Sequence, residues 1–147
     1  MSLLESLTLD SQEARKTKDK EKLSVLQMAL SAIKNEQIKK QKELTDEDIV
    51  AVIGSQVKQL KDACKDFETG GRQDLVDKTK AEIEIFNSYL PEQLDEAEVE
   101  KIVKQVIEKI SPSGPQDFGR VMGESMNQLK GRADGNVVQN IVKKLLQ

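Results

Sequence analysis

Apolar residues recur at intervals of three and four along almost the whole chain, and nowhere do four residues alternate cleanly enough to read as a strand. A first helix is predicted over about 3–18, with Leu3, Leu4, Leu7 and Ala14 on one face. A second is predicted over about 20–42 on Leu23, Leu26, Leu30 and Ile33. Thr45 then offers an N-cap, and Asp46, Glu47 and Asp48 put acids in the first turn, where the helix dipole favours them. Behind them Ile49, Ile53, Val57, Leu60, Cys64 and Phe67 form a stripe on a third helix, 46–69, about 35 Å long at the standard rise. Gly70-Gly71 is a natural stop, since glycine adopts the left-handed cap conformation without penalty.

A fourth helix, about 73–89, directs Leu75, Val76, Ile83, Phe86 and Leu90 inward, and Pro91 ends it by pushing the preceding residue out of helical geometry. Asp95 and Glu98 have capping-box spacing, and Val99, Ile102, Val103, Val106, Ile107 and Ile110 follow as the cleanest amphipathic pattern in the chain. After a Ser/Pro/Gly loop at 111–115, a sixth helix over 116–129 uses Phe118, Val121, Met122, Met126 and Leu129. A glycine-bounded turn leads into a seventh, from Asn136, carrying Val137, Val138, Ile141, Val142, Leu145 and Leu146. The expectation is an all-α chain of seven helices, divided near Pro91 into a four-helix bundle-like N-terminal domain (1–90) and a C-terminal three-helix bundle (91–147).

Composition narrows the chemistry. The 147 residues are 37% hydrophobic and 33% charged, too apolar for intrinsic disorder and too charged for a membrane protein. The longest apolar run, Ile49 to Ile53, falls far short of the ~20 residues of a spanning helix, so no membrane partner is expected, and no signal peptide is visible. Histidine is absent, which removes the usual base at neutral pH and every Ser–His or Cys–His nucleophile. A lone cysteine permits neither an internal disulfide nor a thiolate zinc site, and a cytoplasmic location is the expectation. A net charge of −3 means that any nucleic-acid surface would have to be local.

Several patterns imitate sites. Gly114 and Gly119 have phosphate-loop spacing, but Arg120 and Val121 stand where lysine and a hydroxyl are needed, behind a helix instead of a strand. Ser125 lacks both the second glycine of a nucleophile elbow and a base to activate it. Cys64 reads as a small buried hydrophobe, the acids at 46–48 and 95–98 as helix capping, and Lys34, Lys39, Lys40 and Lys42 as a solvated helix end. No catalytic residue, metal ligand or cofactor site is expected. The turn Lys130-Gly-Arg132-Ala-Asp-Gly135 places two cations beside backbone N–H groups expected to be exposed, which suits a phosphate or carboxylate; a plain helix–helix turn accounts for the glycines equally well.

Leu90-Pro-Glu-Gln-Leu94, Asp117-Phe-Gly-Arg-Val-Met122, Lys130-Gly-Arg-Ala-Asp-Gly135 and Val142-Lys-Lys-Leu145 occur in the order found in YqeY-like (GatB/YqeY domain) proteins. The N-terminal half is similar too, through Lys18 to Val25, Asn35-Glu36, Leu44 to Glu47 and Gly71 to Val76, so the resemblance spans essentially the whole chain. Phe118 stands where the family usually has Met, and Asn127-Gln128 where Pro-Lys is typical. The C-terminal part resembles the tail of the B subunit of tRNA-dependent amidotransferase, a tail that grips the tRNA elbow while ATP and metal chemistry occur elsewhere. The resemblance implies a tRNA-binding or amidotransferase-associated module, classed with carbon–nitrogen ligases that use glutamine as amido-N-donor, with Arg120, Lys130, Arg132, Lys143 and Lys144 as RNA contacts. The alternative is a protein–protein interaction module without catalysis, since fold does not dictate function.

Overall fold

A computed structural model describes residues 1–147. Seven α-helices follow one another: α1 (Leu3–Lys16), α2 (Lys20–Lys40), α3 (Asp46–Thr69), α4 (Gln73–Asn87), α5 (Glu96–Ile110), α6 (Phe118–Leu129) and α7 (Gly135–Leu146). A single 3-10 turn, Pro115–Asp117, precedes α6, and there is no strand. Three helices begin with reciprocal capping boxes, Ser2 with Glu5, Thr45 with Asp48 and Asp95 with Glu98. At the second of these the Thr45 N–H donates to the Asp48 carboxylate and holds that carboxyl below its ordinary range.

The helix ends depart from expectation where residues other than glycine take left-handed backbone. Lys18 (φ 59°), Gln41 (φ 54°) and Ser111 (φ 51°) leave helical geometry there, so α1 and α2 each stop two residues early. Of the two glycines after α3, Gly70 remains helical and Gly71 takes the positive φ, 71°. Pro115 and the bonds from the Ser113 N–H and hydroxyl to Asp117 hold 115–117 in the tighter turn, which delays α6 to Phe118.

The chain forms two compact units, Met1–Leu90 and Pro91–Gln147. In the first, α1 to α4 enclose Leu7, Val25, Leu26, Ala29, Ile33, Ile49, Ile53, Val57 and Phe86. Cys64, on the same face of α3 as Ile53 and Val57, is buried and unpaired by any disulfide. In the second, α5, α6 and α7 close on Val99, Val103, Val106, Val121, Leu129, Val138 and Val142, an almost purely valine core. One polar atom lies inside that unit without a partner, the hydroxyl oxygen of the fully buried Ser125.

Tyr89 fastens the end of the first unit. Its phenol donates to Asp10 of α1 at 2.5 Å, and burial together with the Asp10 carboxylate pushes its pKa well above the ordinary value near 10. A folded-state pKa raised above the unfolded one means the folded state holds the proton more tightly, so stability is complete below pH 10 and declines as pH rises further. The melting temperature of Tyr89→Phe is therefore expected to fall less steeply above pH 10 than that of the native chain. Thermal melts between pH 8 and pH 11.5 check this, and parallel curves would contradict it.

Candidate nucleic-acid interface

The five cations singled out from the sequence all belong to the second unit, spread over α6, the turn after it and α7. Lys130 and Arg132 sit on the turn joining α6 to α7, Lys130 exposed and Arg132 half-buried. Lys143 and Lys144 lie exposed in the last turn of α7, following Val142 of the core face, and Arg120 is exposed near the start of α6. Lys130 and Arg132 thus precede α7, and Lys143 and Lys144 lie toward its far end. Along the axis of α7, Lys143 and Lys144 stand about 12–14 Å beyond Gly135.

A carboxylate lies near Arg120. Asp117 lies close enough to feel its charge; that carboxyl is held low first by the Ser113 N–H, then by the Ser113 hydroxyl, with the Arg120 charge adding to both. The apparent phosphate-loop spacing around Gly114 and Gly119 thus encloses a carboxylate, the wrong charge for a phosphate cradle.

At the Lys130–Gly135 turn the backbone differs from the expectation of exposed N–H groups. The Lys130 N–H donates to the Met126 carbonyl at 2.8 Å, and the N–H groups of Arg132 and Ala133 both donate to the Leu129 carbonyl, at 2.8 and 3.2 Å. These donors satisfy the last carbonyls of α6, which any helix C-terminus leaves without partners. Those three N–H groups are therefore not available to an anion. Gly131 takes φ 77°, the left-handed conformation that closes the turn, and Asp134 caps α7 by accepting from the Asn136 N–H at 2.8 Å.

The carbonyls of the turn are occupied from a segment that sequence reasoning gave no part in the site. Gln93 donates through its side-chain amide to the Gly131 carbonyl at 2.7 Å, and the Leu94 N–H donates to the Arg132 carbonyl at 2.9 Å. Both residues lie within the Leu90–Leu94 motif, which was notable in the sequence only as a mark of resemblance. No group of three or more His, Cys, Asp or Glu residues is placed to hold a metal ion, and no helix is long and apolar enough to cross a membrane.

A model of the Yqey-like protein family matches residues 4–146. This chain belongs to the YqeY-like family. The YqeY-like chain is 29% identical over 133 residues, 89% of its length and 73% of the relative's, to the Altered inheritance of mitochondria protein 41, mitochondrial, of Pyrenophora tritici-repentis. With the protein of the same name in Candida glabrata it shares 39% identity over 93 residues, 62% of this chain and about half (51%) of that one. A shorter stretch of 58 residues, 37% of this chain, is 41% identical to 9% of the glutamyl-tRNA(Gln) amidotransferase E subunit of Thermococcus gammatolerans. The expected likeness to an amidotransferase component is therefore present in part of the chain.

The expectation of a cytoplasmic location is overturned by the same relatives, because those that match the YqeY-like chain over most of its length are mitochondrial proteins by name. Its physical basis was weak. A single buried cysteine has no partner for a disulfide in any compartment, so the count of cysteines does not discriminate among them.

Proposed function

We propose that the chain is a tRNA-binding or amidotransferase-associated helical module that holds RNA and does not itself perform chemistry. The observation that carries this reading is the pairing of Lys130 and Arg132 on one tight turn whose carbonyls at Gly131 and Arg132 are both capped. Two cations on a turn whose Gly131 and Arg132 carbonyls are already hydrogen-bonded suit a phosphate backbone read by charge and shape. The amidotransferase name of the relatives matched over 58 residues supports RNA as the source of that phosphate. Lys143 and Lys144, about 12–14 Å along α7 from Gly135, would contact the same RNA. Carbon–nitrogen ligase chemistry is assigned to no residue of this chain: there is no histidine to serve as base, and Cys64 is buried.

Aromatic residues are too few for base stacking to contribute, since the second unit holds only Phe118, which packs against its core. Binding should therefore be weak and steeply salt-dependent. Lys130→Ala combined with Arg132→Ala is expected to flatten the dependence of log K on log salt by about two phosphate contacts. Lys20→Glu combined with Lys22→Glu, at the start of α2 in the first unit, should change it far less. Fluorescence anisotropy of labelled tRNA between 20 and 200 mM salt measures both slopes. A native chain that shows no salt-sensitive retention of tRNA even at the low end would remove the RNA reading and leave a protein-interaction module in its place.

A further inference from the structure

The connection between α4 and α5 runs from Ser88 to Asp95, and its last five residues, Pro91 to Asp95, are exposed or half-exposed and outside any helix. Such connections are ordinarily the most mobile part of a chain. This one is fastened at two successive residues to one place, the turn that carries Lys130 and Arg132. A primary amide has two N–H groups, and Gln93 uses both: one reaches the Pro91 carbonyl at 2.8 Å, the other the Gly131 carbonyl at 2.7 Å, across 38 positions of sequence. The next residue, Leu94, donates its backbone N–H to the Arg132 carbonyl at 2.9 Å and lays its side chain on the valine core.

From the other side, the N–H groups of Arg132 and Ala133 are held by the Leu129 carbonyl. The peptide planes of the turn are thus gripped on both edges, by α6 through their N–H groups and by the connecting segment through their carbonyls. We infer that Gln93 is a positioning residue for the cationic turn, and that docking of the Pro91–Leu94 segment and anion binding by Lys130 and Arg132 stabilise one another. The inference deepens the RNA reading above and rests on it.

Three effects give Gln93 this role. Gly131 stands at φ 77°, and glycine is the residue whose peptide plane reorients most freely. With its carbonyl released, the two cations flanking it lose their fixed separation, and ordering them again costs binding free energy. A freed carbonyl would also turn partial negative charge toward water on the surface an anion must approach. Finally, linkage is reciprocal: a ligand that favours the fastened turn must favour the fastened segment by the same factor.

Because Gln93 is exposed, water competes for its bonds, and the expected effect of Gln93→Ala is about a fivefold loss of tRNA affinity, the equivalent of one net hydrogen bond. A role through Lys130 and Arg132 predicts that the same substitution has no further effect once both cations are alanine, a non-additivity that general destabilisation would not produce. Gln93→Glu, which sets a carboxylate against two carbonyl oxygens, should weaken binding more than Gln93→Ala.

The experiment is a double-mutant cycle on the full chain with bulk tRNA, paired with limited proteolysis of residues 90–95 with and without the RNA. Support consists of the fivefold loss, its disappearance in the Lys130→Ala/Arg132→Ala background, and tRNA slowing linker cleavage in the native chain but not in Gln93→Ala. Undiminished affinity in Gln93→Ala, or an equal loss in both backgrounds, would overturn the positioning role while the RNA reading stands. A native chain that retains no tRNA removes the RNA reading itself. The role of Gln93 is then judged on the free protein, where unchanged linker cleavage in Gln93→Ala would end it as well.

Discussion

Replacing Val103 by Asp should unfold residues 91–147 while α1 to α4 keep their structure. Val103 lies at the middle of α5, is fully buried, and faces a core of valines with one leucine. A carboxylate there has no hydrogen-bonding partner, and even in its neutral form its burial costs several kcal/mol. A unit of this size starts with little reserve, since small domains bury a smaller share of their surface and whole domains are stable by only about 5–15 kcal/mol. Amide exchange should show protection lost throughout α5, α6 and α7 and retained in α1 to α4. This outcome tests the proposal that the two compact units are separate folding domains. Collapse of protection along the whole chain would show instead that they fold as one.

Phe86→Ala should have an effect of similar size in the other unit. Phe86 is the only aromatic side chain that is fully buried, and it sits on α4 against residues contributed by α1, α2 and α3. Its removal leaves a void that the surrounding Leu, Ile and Val side chains fill only in part, at a cost of about 3–5 kcal/mol. The urea midpoint should drop in proportion, with the slope of the transition unchanged if the unfolded state is unaffected. A loss below about 1 kcal/mol would mean that α4 packs more loosely than its burial indicates.

The helices and both cores were legible because they rest on short-range pattern. Ile49, Ile53 and Val57 or Val99, Val103 and Val106 repeat at helical spacing, and Thr45 and Asp95 announce helix starts by local chemistry. Helix ends were less legible, because Lys18, Gln41 and Ser111 adopt a conformation usually left to glycine, and nothing in their side chains signals it. The turn at 130–135 was recognisable as a cationic turn, whereas the fate of its backbone groups was not. Whether the Arg132 N–H is free depends on where the last carbonyl of α6 points, and whether the Gly131 carbonyl is free depends on Gln93, 38 positions away. A side chain that meets backbone at such a separation leaves no periodic trace.

The distribution of aromatic residues makes the two halves of this protein optically unequal. Tryptophan is absent and Tyr89, at the end of the first unit, is the sole tyrosine, so tyrosine fluorescence originates from that unit alone. Beside the Asp10 carboxylate that emission has a ready proton acceptor and is prone to quenching in the folded state, so it should brighten when α1 and α4 separate. The valine-lined bundle of α5, α6 and α7 contributes only Phe118 and is spectroscopically dark. A smooth tyrosine transition therefore describes residues 1–90, and loss of the half that carries Lys130 and Arg132 would pass unseen by it.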